Sequence, residues 1–408
     1  MRTALEIVFW LAAGLIVWTQ LGYALVIAGL ARILAPAPQA AMSTRERRGR
    51  RPVRAGANPP KSSDLESPSV SLIVAAHDEQ AVIGAKVANA LALDYPRELL
   101  EVIVACDGCT DETAAAAREA GADLVLELAR GGKIAAQDAA VQRARGELVA
   151  FSDANALWDA DALRELTSAF ADPHVGYACG QVRFVQGSGV AHATNQEGVY
   201  WRYEMGVRER ESRLSSITAG NGAIYATRRE SYIVVDPIMG HDLSFPFNMV
   251  KRGWSAVYVP SARATEKMVP SIEGELARKR RMMSHTWPIV VRGGMLSPRG
   301  YTPGYALMIL SHRLLRYSTP FLHALALAAN IALVASGAGW AGAPLVYKFT
   351  LGLQIVLLAA AGLGGVLRVR PLLIARYYVL TTASLAVGLW DWLRHGTAAS
   401  WEAAEGTR

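Results

Sequence analysis

The chain has 408 residues, 52% hydrophobic and 19% charged, a split that fits one soluble domain plus membrane segments and excludes a single ordinary domain. Its net charge is +7, but between positions 32 and 54 seven arginines stand against one glutamate, Glu46. The rest of the chain is nearly neutral, which excludes a generally basic nucleic-acid-binding fold. Three cysteines exclude a disulfide scaffold and fit a reducing cytoplasm.

Residues 7–30, IVFWLAAGLIVWTQLGYALVIAGL, carry no charge over 24 positions, more than the roughly 20 needed to cross a bilayer core. A signal peptide has an apolar region of only about 7–15 residues, so residues 1–31 read as an uncleaved transmembrane anchor. The arginines follow the anchor, which puts the N-terminus outside and the next domain in the cytoplasm. Residues 32–68, rich in Pro, Arg, Ser and Gly and without hydrophobic periodicity, read as a flexible basic linker beside anionic lipid.

From Ser69 the pattern changes. SVSLIVAA predicts a strand, VIGAKVANALAL a helix and LEVIVAC a second strand. DETAAAAREAG predicts a helix with an aspartate at its start and a glycine at its end. DLVLEL, a helix around KIAAQDAAVQRA and the strand ELVAFSD follow; the alternation weakens after residue 180 and resumes with GAIYATRR and SAVYVP. Strand and helix at this spacing predict βαβ units and a mostly parallel sheet, in a domain spanning 69–295. Residues 296–316 place His312, Arg313 and Arg316 among apolar residues, as in a helix lying in the interface. Transmembrane candidates follow at 317–336, 345–367 and 371–393, with Arg368 and Arg370 between the last two, and then a tail at 394–408. Three C-terminal spans put that tail outside, and a fourth at 300–316 puts it inside.

Three aspartates concentrate the chemistry. Asp107 ends LEVIVACDG, Asp153 ends ELVAFSDAN, and Asp242 sits in MGHDLSFPF ahead of a proline. An apolar run that stops at an acidic residue predicts a buried parallel strand delivering a carboxylate to the edge where open α/β sheets bind ligands. A carboxylate accepts the N–H of a uracil ring or a ribose hydroxyl, tasks that suit Asp107 and Glu79. Asp153 and Asn155 offer two oxygens to one hard divalent cation. Lys133, after Gly131 and Gly132, is placed to approach phosphate. Asp111 reads as a helix cap or a solvated turn, and Cys106 and Cys109 as small residues in a strand-end loop. The cluster Tyr200-Trp201-Arg202-Tyr203 fits sugar stacking or plain helix packing. His192, His285 and His312 lack ligand spacing.

Seven pieces, VSLIVAAHDEQAVI, EVIVACDGCTDET, GGKIAAQDAAV, LVAFSDAN, ITAGNGAIYATRRE, GHDLSFPFNMVKRGWSAVYVP and ARATE…RKRRM, follow one another between Ser69 and Trp287. In that order they resemble a membrane-bound family 2 inverting glycosyltransferase, in the polysaccharide-synthase-like branch of cellulose, hyaluronan and poly-N-acetylglucosamine synthases. The resemblance implies an α/β domain of the nucleotide-diphospho-sugar transferase (GT-A) type with added transmembrane helices. It implies a UDP-sugar donor, a Mg or Mn ion, a polysaccharide or lipid-linked acceptor, contact with membrane lipids and other envelope-assembly proteins, and no nucleic acid. It also implies a multi-pass inner-membrane protein with a cytoplasmic catalytic domain. Asp107 would hold uracil, and Asp153 and Asn155 would stand for the D-x-D metal site. Asn221 would lie at the sugar and acceptor pocket, and Arg278 and Arg281 would clamp diphosphate. Asp242 would be the general base. The chain departs from the family pattern at Asn155, at His77, at His241 and at Met282, which stands where the family has a tryptophan. The function implied is growth of an envelope or exopolysaccharide chain. The alternatives are transfer of one sugar to a ceramide-like or polyprenyl phosphate lipid, and an inactive scaffold of a polysaccharide complex.

Overall fold

The structure, a computed structural model, describes residues 1–34, 67–185, 196–267, 272–336, 339–367 and 369–399. Most of the basic linker, Arg368 and the tail beyond residue 399 lie outside the described residues. The first helix, α1, runs Arg2–Leu34 and holds one π-helical turn at Trp18–Gly22.

The α/β domain is built on one sheet, of eight strands among the described residues. Its first half alternates strand and helix: β1 Val70–Ala76, α2 Gln80–Leu91, β2 Leu100–Asp107, α3 Thr113–Glu119, β3 Leu124–Leu128, α4 Lys133–Arg143 and β4 Leu148–Asp153. Every residue of β2 and nearly every one of β1 is buried, which is why these strands read as unbroken apolar runs rather than alternating ones. Asp111 stands in the turn just ahead of α3, where its Oδ1 accepts the N–H of Thr113 at 3.0 Å, while the capping position itself is Glu112.

After β4 come β5 Leu157–Trp158, α5 Ala162–Ser168, β6 Val175–Val185, α6 Gln196–Leu214, β7 Tyr225–Arg228, α7 His241–Lys251 and β8 Ser255–Lys267. The strand order is β3-β2-β1-β4-β7-β6-β8-β5. Pairing is parallel from β3 to β4, antiparallel on both sides of β7, parallel between β6 and β8 and antiparallel at β5. The sheet is therefore mixed, with parallel pairs in the majority. The chain leaves β1 to one side for β2 and returns to the other side for β4. That reversal opens a crevice at the C-terminal ends of β1 and β4, where α/β sheets take ligands.

Beyond the sheet lie α8 Ile272–Val291, α9 Pro303–Tyr317, α10 Thr319–Ala335, α11 Leu345–Leu363 and α12 Arg370–His395. By length and apolar composition α1, α11 and α12 are each sufficient to cross a membrane, and α9 with α10, bent by 63°, makes a fourth candidate. The segment around His312 is more than a surface helix. His312 and Arg313 are buried. His312 Nδ1 meets Glu211 at 2.7 Å, Arg316 donates to Glu204 at 2.7 Å, and Tyr23 of α1 donates to Glu211 at 2.7 Å. This ionic cluster joins α1, α6 and α9, each charge finding its partner away from water.

Helix α12 braces α8. Arg280 grips Asp391 with two hydrogen bonds, Trp287 donates to the Leu385 carbonyl at 2.8 Å, and a Cβ on Gly388 would stand 2.5 Å from that of Met283. The chain after α12 turns back on the α/β domain: Thr397 donates to the Ser284 carbonyl at 2.8 Å, and Ala399 lies directly over Gly132.

Candidate active site

The register of the parallel strands brings the acidic strand ends to one edge. Ala75 of β1 pairs with Ala105 of β2 and with Asp153 of β4, and Ala76 pairs with Cys106, one residue before Asp107. Asp107 and Asp153 thus flank β1, two strand spacings or about 10 Å apart. Between them lies an open cleft lined by Glu79, Asp107, Lys133, Asp153 and Asn155, together with His77. The structure so brings together five residues that the sequence nominated separately.

The two ends of the cleft differ. At one end Asp107 is buried, and its carboxylate accepts the N–H of Gly131 at 2.6 Å, that of Gly132 at 3.0 Å and Arg130 Nη1 at 3.2 Å. Gly132 has φ +93°, a left-handed conformation that glycine adopts without strain. Asp107 therefore shapes the Gly131–Gly132 turn from which α4 and Lys133 start. His77 Nδ1 lies 2.8 Å from the Asp107 carbonyl, and donor atoms of His77, Asp78 and Cys109 fall within 4.8 Å of one another beside it.

At the other end the Lys133 ammonium is paired with Asp153 Oδ1. Burial opposes the lysine's charge, but Asp153, with Asp242 and Glu266, raises its proton affinity above the ordinary value. The oxygens of Asp153 and Asn155 are a donor set that suits a hard divalent cation, and a positive group already sits on Asp153. The residues present fit such an ion.

Asp242 reaches the same place by another route. It lies in the first turn of α7, not at a strand end, and Pro246 stands inside that helix. A proline four residues on has no N–H to give the Asp242 carbonyl. That carbonyl instead accepts the N–H of Gly220 at 2.6 Å, which clamps the Gly220-Asn221-Gly222 turn to the helix bearing the aspartate. A Cβ on Gly222 would lie 3.8 Å from Lys133 Nζ and 4.0 Å from Asp242 Cβ, so turn, lysine and aspartate face each other. Burial raises the Asp242 carboxyl above the usual carboxylate range, against the attraction of Lys133. Its neighbour His241 is buried beside Tyr225, whose hydroxyl lies 2.8 Å from Nδ1, and burial pushes its proton affinity down to about 3. His241 is thus a neutral core residue at the position where the resemblance led to an acid.

Asn221 is buried, with its Oδ1 accepting from Arg208 and its amide donating to the Gly180 carbonyl. In this structure it holds the turn in place rather than opening onto the cleft. Gly220 shows how tight that turn is. A Cβ there would stand 1.9 Å from the Tyr177 hydroxyl, and Tyr177 is fully buried against Tyr225. Gly220→Ala is expected to cost about 1–3 kcal/mol of stability and to lower turnover by shifting Asp242. Adding Tyr177→Phe, which removes the obstructing oxygen, is expected to restore part of both. Thermal unfolding and turnover of the two variants check this.

Arg278 and Arg281 lie on α8. The positive charge of Arg278 reaches Glu266, next to the last residue of β8, which sequence reasoning passed over. Its signal was weak, because the run SAVYVPSARATEK mixes polar residues among the apolar ones and continues to Lys267. Burial first, and then Asp153, push the Glu266 carboxyl up to about 7. Lys86 was passed over too, a lysine in the middle of an apolar helix.

Comparison with known proteins agrees with this architecture. The profile of a family described as Glycosyltransferase like family 2 matches residues 68–284. A beta-monoglucosyldiacylglycerol synthase of Synechocystis sp. is 33% identical over 129 residues, which are 28% of this chain and 26% of that protein. The chain thus aligns with about a quarter of that relative's length. The solved structure of the mannosyltransferase PcManGT from Pyrobaculum calidifontis, in complex with GDP-Man and Mn2+, superposes with a TM-score of 0.67 at 23% identity, over 96% of this chain and 99% of that one. At that identity the likeness concerns the fold.

Proposed function

The chain belongs to glycosyltransferase family 2, and on that premise we propose that it is a membrane-anchored inverting enzyme that moves a sugar from a nucleotide diphosphate donor to a hydroxyl of a membrane lipid. Asp107 and Glu79 hold the nucleoside end of the donor, and Asp153 and Asn155 face its diphosphate with Lys133. Asp153 and Asn155 would hold a divalent cation, which when bound would neutralise charge on the departing diphosphate; the solved mannosyltransferase is in complex with GDP-Man and Mn2+. Arg278 and Arg281 are the clamps on the leaving group from α8, since a guanidinium matches phosphate oxygens two at a time. Asp242 accepts the proton of the acceptor hydroxyl as that oxygen attacks the sugar's C1 from the face opposite the diphosphate.

One observation carries the choice of acceptor. Leu243 and Phe247, on the helix of Asp242, share one apolar cluster with Tyr305, Ile309 and Tyr317 of α9 and Trp392 of α12. The proposed base therefore stands where the domain meets the apolar helices, within reach of an acceptor resting in a bilayer surface. The name of the curated relative, a diacylglycerol glycolipid synthase, and Met282 in place of an acceptor-stacking tryptophan support the same reading. Growth of a polysaccharide is the second reading, favoured by the seven ordered motifs.

Purified protein given UDP- and GDP-sugars, Mn2+ or Mg2+ and mixed membrane lipids tests both. A lipid carrying one sugar is expected. A ladder of products would replace this reading with the polymer one, and no nucleotide release from any donor would leave the scaffold.

A further inference from the structure

The structure places a lysine where none is expected. Lys86 lies on α2 with 0% of its surface exposed, between the buried apolar residues Ile83 and Val87. Its ammonium donates to the Ala156 carbonyl at 2.8 Å and lies 5.1 Å from the centre of the Trp158 ring. Among the described residues it forms no ion pair. The backbone it grips is the span from Asp153, the last residue of β4, to Trp158 in β5.

Asn89, one turn further along α2, holds the far end of that span. It accepts the Trp158 N–H and donates to the Trp158 carbonyl, both at 2.9 Å. Trp158 in turn donates through its indole to the Ala223 carbonyl at 3.1 Å, beside the Gly220-Asn221-Gly222 turn. The loop that carries Asp153 and Asn155 is therefore tied from behind by one charged and one neutral side chain.

A buried ammonium without a carboxylate partner is costly, and for packing alone an apolar side chain of the same length would serve. Its carbonyl bond and the ring face offset part of that cost. What distinguishes a lysine is its field. Burial pushes the Lys86 ammonium down to about 7, against the pull of Asp153 and Glu266, and a donor's diphosphate would bring further negative charge that favours the protonated form.

We infer that Lys86 is a positioning residue for sugar transfer: from beneath the cleft its ammonium fixes the Asp153–Asn155 loop and biases that loop toward an anionic diphosphate with its cation. The inference rests on the donor reading given above. Lys133 meets the diphosphate from the front and Lys86 acts through the backbone, so the two are not redundant.

The test compares the full-length wild type with Lys86→Met, which keeps length and contact with Trp158, and with Asn89→Ala, which cuts only neutral ties. Binding of Mn2+ with UDP or GDP is measured by calorimetry and by the spin-resonance signal of bound Mn2+, alongside donor KM, kcat and thermal unfolding. Lys86→Met is expected to weaken nucleotide and Mn2+ binding by about tenfold or more, with donor KM rising in step, kcat largely kept and no loss of melting temperature. Asn89→Ala is expected to lower the melting temperature with little change in binding. If Lys86→Met does not fold, Lys86→Gln, which keeps a donor for the carbonyl and loses the charge, is read the same way. Wild-type binding in the charge-free variant, or equal losses in both variants, would overturn the inference. A wild type that binds neither nucleotide and turns over no donor would overturn the donor reading and this inference with it.

Discussion

Asp242→Asn is expected to lower kcat by about 100- to 10,000-fold while donor affinity stays unchanged. The substitution keeps size and removes only the ability to take a proton. Asp242 is joined to the Gly220 turn through its backbone carbonyl, so the side-chain change leaves that clamp intact. Its pH dependence is a sharper signature. Burial raises the Asp242 carboxyl, so its acid form persists to higher pH than in an exposed aspartate. A base must be ionised to act, hence kcat/KM falls as pH falls through the raised value. Glu266, pushed up to about 7, lies within electrostatic reach of Asp153 and Lys133, so Glu266→Gln is the variant that separates the two acids. The limb due to Asp242 is expected to survive in Glu266→Gln and to vanish in Asp242→Asn. Rate-against-pH profiles of the three proteins check this, and an unaltered rate in Asp242→Asn would remove the aspartate from the role of base.

The second large effect is expected at Asp153. Asp153→Asn removes the charge that pairs with Lys133 and leaves a neutral amide oxygen, a weaker ligand, where a carboxylate is proposed to hold the cation. Turnover is expected to fall by at least about 100-fold, more than the loss typical of a supporting residue around a metal. Added Mn2+ is not expected to restore it, because the carboxylate that would bind the ion is gone. Asn155→Asp acts in the opposite sense, adding a second carboxylate and lowering the concentration of Mn2+ needed for half-maximal rate. Titration of each variant with Mn2+ reads both outcomes. A normal rate in Asp153→Asn would place the diphosphate elsewhere.

What was legible in the sequence follows the physics of burial. Strands β1, β2 and β4 are covered on both faces, so each announced itself as an apolar run, and the acids that closed β2 and β4 were visible as interruptions. Glu79, Asp107, Lys133, Asp153 and Asn155 meet in one cleft because parallel strands end at one edge. Asp242 was harder to place. Its position depends on a proline in a helix releasing a carbonyl to a turn more than twenty residues earlier, a tertiary event with no local pattern. Strand β6 escaped notice because its Gly- and Cys-containing run VGYACGQVRFV lacks a helix-strand rhythm around it. Lys86 and the buried cluster of Glu204, Glu211 and His312 were invisible for one shared reason: composition marks a charged residue as exposed, and only packing reveals that its partners lie on other elements.

The brace between α8 and α12 bears on the timing of synthesis. A ribosome delivers the α/β domain first and α12 more than one hundred residues later. Until Asp391 reaches Arg280 and Gly388 seats against Met283, the helix carrying Arg278 and Arg281 has no support on that side. A half-made chain therefore holds the cleft without its full set of arginines in place. On the proposed roles of Arg278 and Arg281, turnover of nucleotide sugar would begin only once the last apolar helix has docked on α8.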